Sequence, residues 1–242
     1  MSGMRYCTRC VMPDTKPGVT LDERGWCNAC RSAARKKTVD WQARREELTA
    51  IVKEVKALEK PFYDCIVPVS GGKNSWYQTR MMAQEYGLKV LCVCLAPHLP
   101  TTEGIHTLKT TVERLAVDLI QVTLKPSVFR RVRRKCFVRQ AEPNWAEHCS
   151  VFSSVVNVAF IYDVPLIVWG EDIAFEFGGA QTQDSQPSAT SINENDLMRG
   201  KTIMDWLDDD ISERDVYFYK YPDHAAFDER GIRSIYLGHF DR

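Results

Sequence analysis

The sequence predicts an α/β fold, in which a parallel, doubly wound sheet follows a small N-terminal module rich in cysteine. Four apolar segments alternate with four segments of helical character, and a Gly-Gly turn follows the first apolar segment. Alternating strands and helices of crossover length favour a parallel sheet, and nearly continuous runs such as VLCVCL indicate strands buried on both faces. The candidate strands are 63–69, 89–95, 118–124 and 165–169, and the candidate helices lie near 75–87, 101–117, 126–140 and 146–163.

Length and charge limit the classes of protein to which the chain can belong. Its 242 residues suffice for one sizeable α/β domain and a small accessory module. The charges of the 32 basic and 32 acidic residues cancel, so the composition does not indicate general nucleic-acid binding. No apolar run is long enough for a membrane span, and the N-terminus lacks the apolar core of a signal peptide. We therefore expect a cytoplasmic protein with neither membrane nor nucleic acid among its partners.

The N-terminal module, for which we predict the boundaries 1–37, carries two CxxC pairs. Cys7 and Cys10 form the first pair, Cys27 and Cys30 form the second, and 16 residues separate the pairs. Each CxxC directs two thiolates toward one ion, and four thiolates match a closed, tetrahedral structural Zn²⁺ site. Buried free thiols, two disulfides and an iron–sulfur cluster are the alternatives. With all four positions filled by sulfur, the zinc would stabilise the fold without activating a water molecule.

A single amphipathic helix over 38–60 is predicted to link this module to a main domain at 61–242. Its apolar residues recur at helical spacing, which places them on one face directed toward a core. The residues of this stripe are Trp41, Leu48, Ile51, Val52, Val55 and Leu58.

The segment SGGKNS, residues 70–75, lies on the turn between the first candidate strand and the helix after it. Backbone N–H groups at such a turn bind phosphate. The segment does not match a Walker A loop, because Val67 and Asn74 stand where that motif needs Gly and Ser or Thr, and its glycine spacing does not match GxGxxG. The alternative is a glycine-rich turn without a catalytic role.

SGGKNS resembles the PP-loop, SGGxDS, of the ATP pyrophosphatase superfamily, which has an adenine nucleotide alpha hydrolase-like fold. Asn74 occupies the position usually held by Asp, so this chain lacks a negative charge that would help to organise Mg²⁺. The positions that match the motif are Ser70, Gly71, Gly72, Lys73 and Ser75.

A longer series of motifs resembles the N-acetyl sugar amidotransferases of the WbpG/PseA type. The motifs YCTRCVMPDT, CNAC, SGGKNSWYQ, TTEGIHTLKTTVERLAVDLI, VPLIVWGED and SIYLGHF occur in that order. The resemblance implies that ATP adenylates the acetamido oxygen of a nucleotide-linked N-acetyl sugar. Ammonia then displaces AMP and leaves an acetamidino group, for O-antigen or flagellin glycans. Known members continue beyond SIYLGHFDR, so we expect a C-terminally shortened chain or a shortened member.

The same resemblance implies partners and residue roles. A glutaminase–cyclase pair, similar to the histidine-biosynthesis synthase, would supply the ammonia. Lys73 would offset negative charge that develops between the phosphates. The residues implied to bind ATP are Ser70, Gly71, Gly72, Lys73, Asn74 and Ser75 around the phosphates and Leu95, Ala96 and Pro97 around the base.

Three carboxylates are candidates for Mg²⁺ binding or catalysis. Glu171 and Asp172 follow the fourth candidate strand at its carboxyl end, where ligands of such sheets bind. Glu103 follows Thr101 at the start of a helix, where the hydroxyl caps the helix and a carboxylate suits its positive end. The alternatives are a purely local role for Glu103 and ordinary surface-loop acids for the other two.

Two other functions stay open. A tRNA-modifying PP-loop enzyme, such as a thiolase or a lysidine-type ligase, could use Cys136 and Cys149 for sulfur transfer. A non-catalytic adaptor could bind nucleotide without turnover. The basic run at 130–135 is either a solvated face or an attractor for an anionic nucleotide sugar or tRNA, and 181–200 is either a mobile lid or a surface insertion.

Overall fold

The computed structural model describes residues 3–16, 18–172, 187–194 and 197–241. The strands are Cys65–Pro68 (β1), Val90–Leu95 (β2), Asp118–Val122 (β3), Leu166–Trp169 (β4) and Arg233–Tyr236 (β5). They form one parallel sheet in the order β3-β2-β1-β4-β5. The order reverses between β1 and β4, which makes that point the switch of a doubly wound sheet. The predicted fold class, a parallel doubly wound α/β sheet after a cysteine module, is confirmed.

The helices connect these strands and cover the sheet. They are Asn28–Arg35 (α1), Trp41–Ala57 (α2), Lys73–Arg80 (α3), Thr102–Leu115 (α4), Pro126–Gln140 (α5), Trp145–Tyr162 (α6), His224–Arg230 (α7) and Leu237–Phe240 (α8). A π-helical turn over Met81–Glu85 continues α3. None of the helices in the described part of the chain is long and apolar enough to cross a membrane.

Both faces of the sheet are buried, because successive strand residues point to opposite sides. Ile66 of β1 packs in one core cluster with residues of α5 and α6, including Phe129. Its neighbours Cys65 and Val67 pack in a second cluster, with residues of α2 and α4 such as Leu48. This double burial explains why the strands are apolar at nearly every position.

Local signals in the sequence set several helix ends. The Thr101 hydroxyl accepts a hydrogen bond from the Gly104 N–H at 3.0 Å, so the predicted cap of α4 is confirmed. Asp40 caps α2 in the same way, and Pro126 occupies the first turn of α5, where its missing N–H costs nothing.

The prediction missed β5, α7 and α8, although SIYLGHF had been noted as a motif. A four-residue strand that contains Arg and Ser has no clear periodicity. Here Ser234 is buried in β5 because its hydroxyl accepts a hydrogen bond from Trp169 Nε1 at 3.0 Å. The sheet thus has one more strand than the sequence indicated.

Two further predictions need correction or restriction. Leu58 does not belong to the buried stripe, because α2 ends just before it and its side chain is 54% exposed. In the segment predicted as mobile, 181–186, 195 and 196 lie outside the described residues, but Ala189 is buried and donates its N–H to the Ser234 carbonyl. A short 3-10 turn at Ile203–Trp206 follows this segment. The predicted domain boundaries stay predictions.

A buried carboxylate ties the C-terminal segment to two helices. Asp241 accepts hydrogen bonds from Arg45 of α2, with Nε at 2.7 Å, and from the hydroxyl of Tyr77 on α3. Burial and, next, the hydrogen bond to Asp241 together raise the pKa of Tyr77 to about 12. The carboxylate therefore joins α2 and α3 to the C-terminal end of the described chain.

We expect Asp241→Ala to lower the free energy of unfolding by about 1–3 kcal/mol, because it removes the acceptor shared by Arg45 and Tyr77. Denaturant titration measures the change. The matched control is Asp228→Ala, on the exposed side of α7, which should stay within about 0.5 kcal/mol of the unaltered protein. Equal effects of the two substitutions would contradict the role assigned to Asp241.

Candidate functional site

The phosphate-loop candidate, residues 70–75, leaves the carboxyl end of β1 and turns into α3. Gly71 adopts φ +81°, a left-handed conformation that glycine tolerates best. A Cβ at this position would lie 2.8 Å from the carbonyl oxygen of Gly104, in the first turn of α4. The loop therefore needs glycine at position 71 for both its conformation and its contact with α4.

The backbone N–H groups of residues 70–75 are available for a ligand. Val69 still donates to the Val93 carbonyl at 2.8 Å, and Trp76 donates to the Gly72 carbonyl at 3.2 Å. Between them, no acceptor within the described parts of the chain receives a hydrogen bond from these N–H groups. A helix N-terminus with unpaired N–H groups attracts anions, because the N–H dipoles point the same way.

These N–H groups lie beside a cavity of about 460 Å³, which we call the loop cavity. It opens at the carboxyl ends of β1, β2 and β4, at the switch point of the sheet. Polar residues of the loop line one side, and Val151, Phe152 and Val155 of α6 line the other. The cavity therefore offers polar contacts for phosphate next to an apolar wall.

Three predicted site residues form a chain of hydrogen bonds beside the loop cavity. Lys73 Nζ donates to Asn74 Oδ1 at 2.9 Å, and Asn74 Nδ2 donates to Glu171 Oε1. Glu171 comes from the loop after β4, 97 positions later in the chain. All three side chains are exposed and line the cavity, so an incoming ligand can reach a cation and a carboxylate together.

The two serines of the loop differ. Ser75 is buried, and its hydroxyl donates to the Gly72 carbonyl at 3.0 Å, which helps to shape the turn. Ser70 is exposed, and within the described residues its hydroxyl has no hydrogen-bond partner. Ser70 is therefore the freer of the two to bind phosphate.

The structure does not bring the other two candidate carboxylates to the loop cavity. Asp172 is buried and lies toward β5, where its charge adds to burial in raising the pKa of Tyr236. Glu103 lies exposed in the first turn of α4, where its carboxylate suits the positive helix end. Their catalytic roles stay predictions without a geometric basis.

The predicted base pocket is divided between two cavities. Leu95 lines the loop cavity, whereas Ala96 and Pro97 line a neighbouring cavity of about 710 Å³ along α4, the α4 cavity. Ser70 lines both, so the two cavities meet at the start of the loop. A nucleotide with its phosphates at the loop can extend its base into the α4 cavity.

Sequence reasoning missed Gln78 and Ile192, which also line the loop cavity. Gln78 is buried on α3 one turn after Ser75, and it lies so close to Gly170 that a Cβ there would be 2.2 Å from its Nε2. A polar residue on the buried side of a helix was the available signal for Gln78. No local signal distinguished Ile192, which reaches the cavity through tertiary folding.

The four N-terminal cysteines converge, as the spacing predicted. One ligand atom from each of Cys7, Cys10, Cys27 and Cys30 lies within 4.8 Å of the others. The Cys7–Cys30 and Cys10–Cys27 sulfur separations of 3.8 and 3.5 Å are too long for disulfides. Four convergent thiols fit a structural zinc ion, whose tetrahedral shell they would fill.

Backbone N–H groups support the negative charge of one of these thiols. Burial has the largest influence on the Cys7 pKa and raises it, but N–H groups of Cys27 at 3.2 Å and Arg9 at 3.4 Å lower it. The combined effect lowers the pKa of Cys7 to about 6. A thiolate is the form that binds metal, so the backbone around Cys7 favours binding there, whereas burial raises the pKa of Cys27 and Cys30.

No family model matches the chain, and no curated protein matches it. Among solved structures, it is similar to the NMN synthetase from Francisella tularensis, with 11% identity and a TM-score of 0.42 over 80% of this chain and 96% of that chain.

We expect Gly71→Ala to lower the free energy of unfolding by about 1–3 kcal/mol, because alanine disfavours positive φ and its Cβ would meet the Gly104 carbonyl. Denaturant titration measures this. Gly72→Ala is the matched control: its φ is −84° and its nearest neighbour would be Ser70 Oγ at 3.5 Å. The described loop geometry is wrong if both substitutions cost the same.

We expect elemental analysis to find about one zinc per chain, because four thiolates complete its coordination. Cys10→Ser should lose most of the metal, whereas Cys92→Ala, in the sheet core, should retain it. Chelation should make the segment around residues 3–35 sensitive to protease, since a module of this kind depends on its metal for folding. Retention of zinc by Cys10→Ser, or iron in its place, would contradict the assignment.

Proposed function

We propose that the chain is an ATP-dependent amidotransferase that acts on a nucleotide-linked N-acetyl sugar. The observation that carries the ATP-binding part is the row of unengaged N–H groups at residues 70–75, beside the loop cavity. Such a row binds phosphate oxygens at a helix N-terminus. The ordered series of motifs from YCTRC to SIYLGHF supports the amidotransferase part.

The proposed reaction has two steps. First, the acetamido oxygen attacks the α-phosphorus of ATP, the bond between the α-phosphorus and the bridging oxygen breaks, and pyrophosphate leaves. Second, ammonia attacks the carbon of the O-adenylated imidate, the carbon–oxygen bond breaks, and AMP departs with the oxygen. After loss of a proton the product is an acetamidino sugar, which would serve bacterial surface glycans.

Each step needs particular groups from the chain. Pyrophosphate carries away negative charge, which the loop N–H groups and Lys73 stabilise. Glu171 supplies carboxylate oxygens of the kind that Mg²⁺ prefers, with Asp172 next to it in the sequence. The apolar wall of α6 keeps water from the imidate, which would otherwise return to the acetamide.

The buried cysteines argue against sulfur transfer. Cys136 and Cys149 are almost fully buried, and burial raises the pKa of each to about 12. The thiolate is the nucleophilic form of cysteine, and such values leave almost none of it near neutral pH. A thiolase that uses these two residues is therefore disfavoured.

The basic run on α5 is partly engaged within the protein. Lys135 binds Asp208 and the Trp206 carbonyl, and Arg131 Nη1 donates to the Asp210 carbonyl at 2.6 Å. These contacts hold the 206–210 turn against α5 and engage two of the cations that tRNA binding would require. We also propose that a separate glutaminase–cyclase pair supplies the ammonia for the second step.

The test is mass spectrometry of UDP-N-acetyl sugars after incubation with ATP, Mg²⁺ and ammonium. Replacement of the acetamido oxygen by NH lowers the sugar mass by about one dalton, as the displacement requires. Lys73→Met should reduce the rate by about 10²–10³-fold, since it removes a charge aimed at the leaving group. Lys53→Met, exposed on α2, is the matched control and should keep full activity.

Additional activity measurements distinguish this proposal from the two alternative functions. ATP–pyrophosphate exchange or AMP release distinguishes an enzyme from a nucleotide-binding adaptor. Turnover with tRNA, together with an unchanged mass for every sugar, would replace the proposal by the tRNA-modifying alternative. If Lys73→Met leaves the rate of AMP release unchanged, the catalytic role proposed for the 70–75 loop is wrong.

A further inference from the structure

A buried amide lines the loop cavity without a hydrogen-bond partner. Gln78 on α3 is only 7% exposed, and it lines this cavity together with the loop residues. Within the described residues its carboxamide makes no hydrogen bond. The amide is not sealed inside the protein, because the fully enclosed side-chain atoms that lack a partner belong to other residues, such as His98 and Trp206. A ligand in the loop cavity can therefore reach it.

The backbone at the end of β4 makes room for this amide. A Cβ at Gly170 would lie 2.2 Å from Gln78 Nε2, 3.3 Å from its Cδ and 3.7 Å from its Oε1. The amide nitrogen is thus the atom nearest to this backbone, and Oε1 is turned farther from it. A side chain at position 170 would displace the amide, since the end of a flexible side chain gives way before the backbone does.

The other polar side chains of the loop cavity differ from Gln78. Except for Ser70, which is exposed, they hydrogen-bond within the protein, as Lys73 and Glu171 do through Asn74. In the described part of the chain, Gln78 is therefore the polar side chain of this cavity that is both buried and without a partner. Buried polar groups nearly always have partners, so this amide calls for a ligand group that hydrogen-bonds to it.

We propose that Gln78 binds the acetamido group of the sugar substrate, with its Oε1 accepting a hydrogen bond from the acetamido N–H. The acetyl methyl packs against Phe152 and Val155 of α6, which line the same cavity. In a trans secondary amide the C=O points away from the N–H. An N–H held at Gln78 leaves the acetamido oxygen free to face the phosphates at the loop. This inference rests on the proposed function, since it takes the second substrate to be an N-acetyl sugar.

The same hydrogen bond favours the first step of the proposed reaction. When the N–H of an amide donates to an acceptor, polarisation shifts electron density toward the carbonyl oxygen of that amide. This oxygen is the atom that attacks the α-phosphorus of ATP. A sugar with a hydroxyl in place of the acetamido group loses the N–H and the methyl contact together. Gln78 therefore selects the acetamido sugar and positions its oxygen.

Calorimetric titration with UDP-N-acetylglucosamine and UDP-glucose tests the proposal. UDP-glucose carries a hydroxyl in place of the acetamido group, and added α,β-methylene-ATP prevents turnover. The unaltered protein should prefer the acetamido ligand, and Gln78→Met should weaken its binding about tenfold while UDP-glucose binding stays unchanged. Gly170→Ala displaces the amide without replacing it and should act in the same direction. Gln84→Met, exposed in the π-helical turn after α3, is the matched control.

Melting temperature and nucleotide affinity distinguish this role from two others. Since the amide lacks a partner in the free protein, Gln78→Met should melt at the same temperature or higher. A lower melting temperature would mean that the amide serves the fold. Weaker binding of α,β-methylene-ATP with an unchanged acetamido preference would assign Gln78 to the nucleotide instead. Either result, or equal binding of the two sugars by the unaltered protein, would overturn the proposal.

The assay for the product distinguishes this inference from the proposed function. Formation of an acetamidino sugar by Gln78→Met with unchanged kcat and KM would leave the function intact and remove the role of Gln78. An acetamido preference that depends on Gln78, without any ATP-dependent product, would support the binding role and remove the proposed reaction.

Discussion

The contact between Gly71 and the first turn of α4 is the constraint on which the site depends. Because a Cβ at position 71 would meet the Gly104 carbonyl at 2.8 Å, the loop can lie against α4 only with glycine there. The loop N–H groups have no acceptor within the described residues, and Thr101 caps the α4 turn that Gly71 contacts. These N–H groups are therefore in place for an anion before any ligand arrives.

The C-terminal segment supports the candidate site by packing against the residue that precedes Glu171. Gly238 in α8 donates its N–H to the Gly170 carbonyl at 2.9 Å, directly before Glu171. A Cβ at Gly238 would lie 3.3 Å from that carbonyl, so the approach is close. Asp241 then ties the same segment to α2 and to Tyr77 of α3. The position of Glu171 therefore depends on residues near the end of the described chain, and the SIYLGHF motif has a structural reason.

The sequence was sufficient to predict the parts of this structure that depend on local pattern. Strands buried on both faces, the four-cysteine cluster and the loop after β1 each follow from composition and spacing over a few residues. The features that the sequence analysis did not predict depend on tertiary contacts. β5 is a short strand stabilised by pairing with β4, and Ile192 and Glu171 reach the loop cavity from distant positions. The base pocket was predicted as one unit, but successive residues at the end of β2 point to opposite sides of the sheet, which divides it.

Asn74 shows how a departure from a motif can be consistent with its surroundings. Its amide oxygen accepts from Lys73 and its amide nitrogen donates to Glu171, so one neutral side chain joins a cation and an anion. An aspartate could still accept from Lys73, but it would face Glu171 with a like charge. Asn74 thus holds Glu171 beside the loop cavity, and one cation and one anion lie there next to the loop.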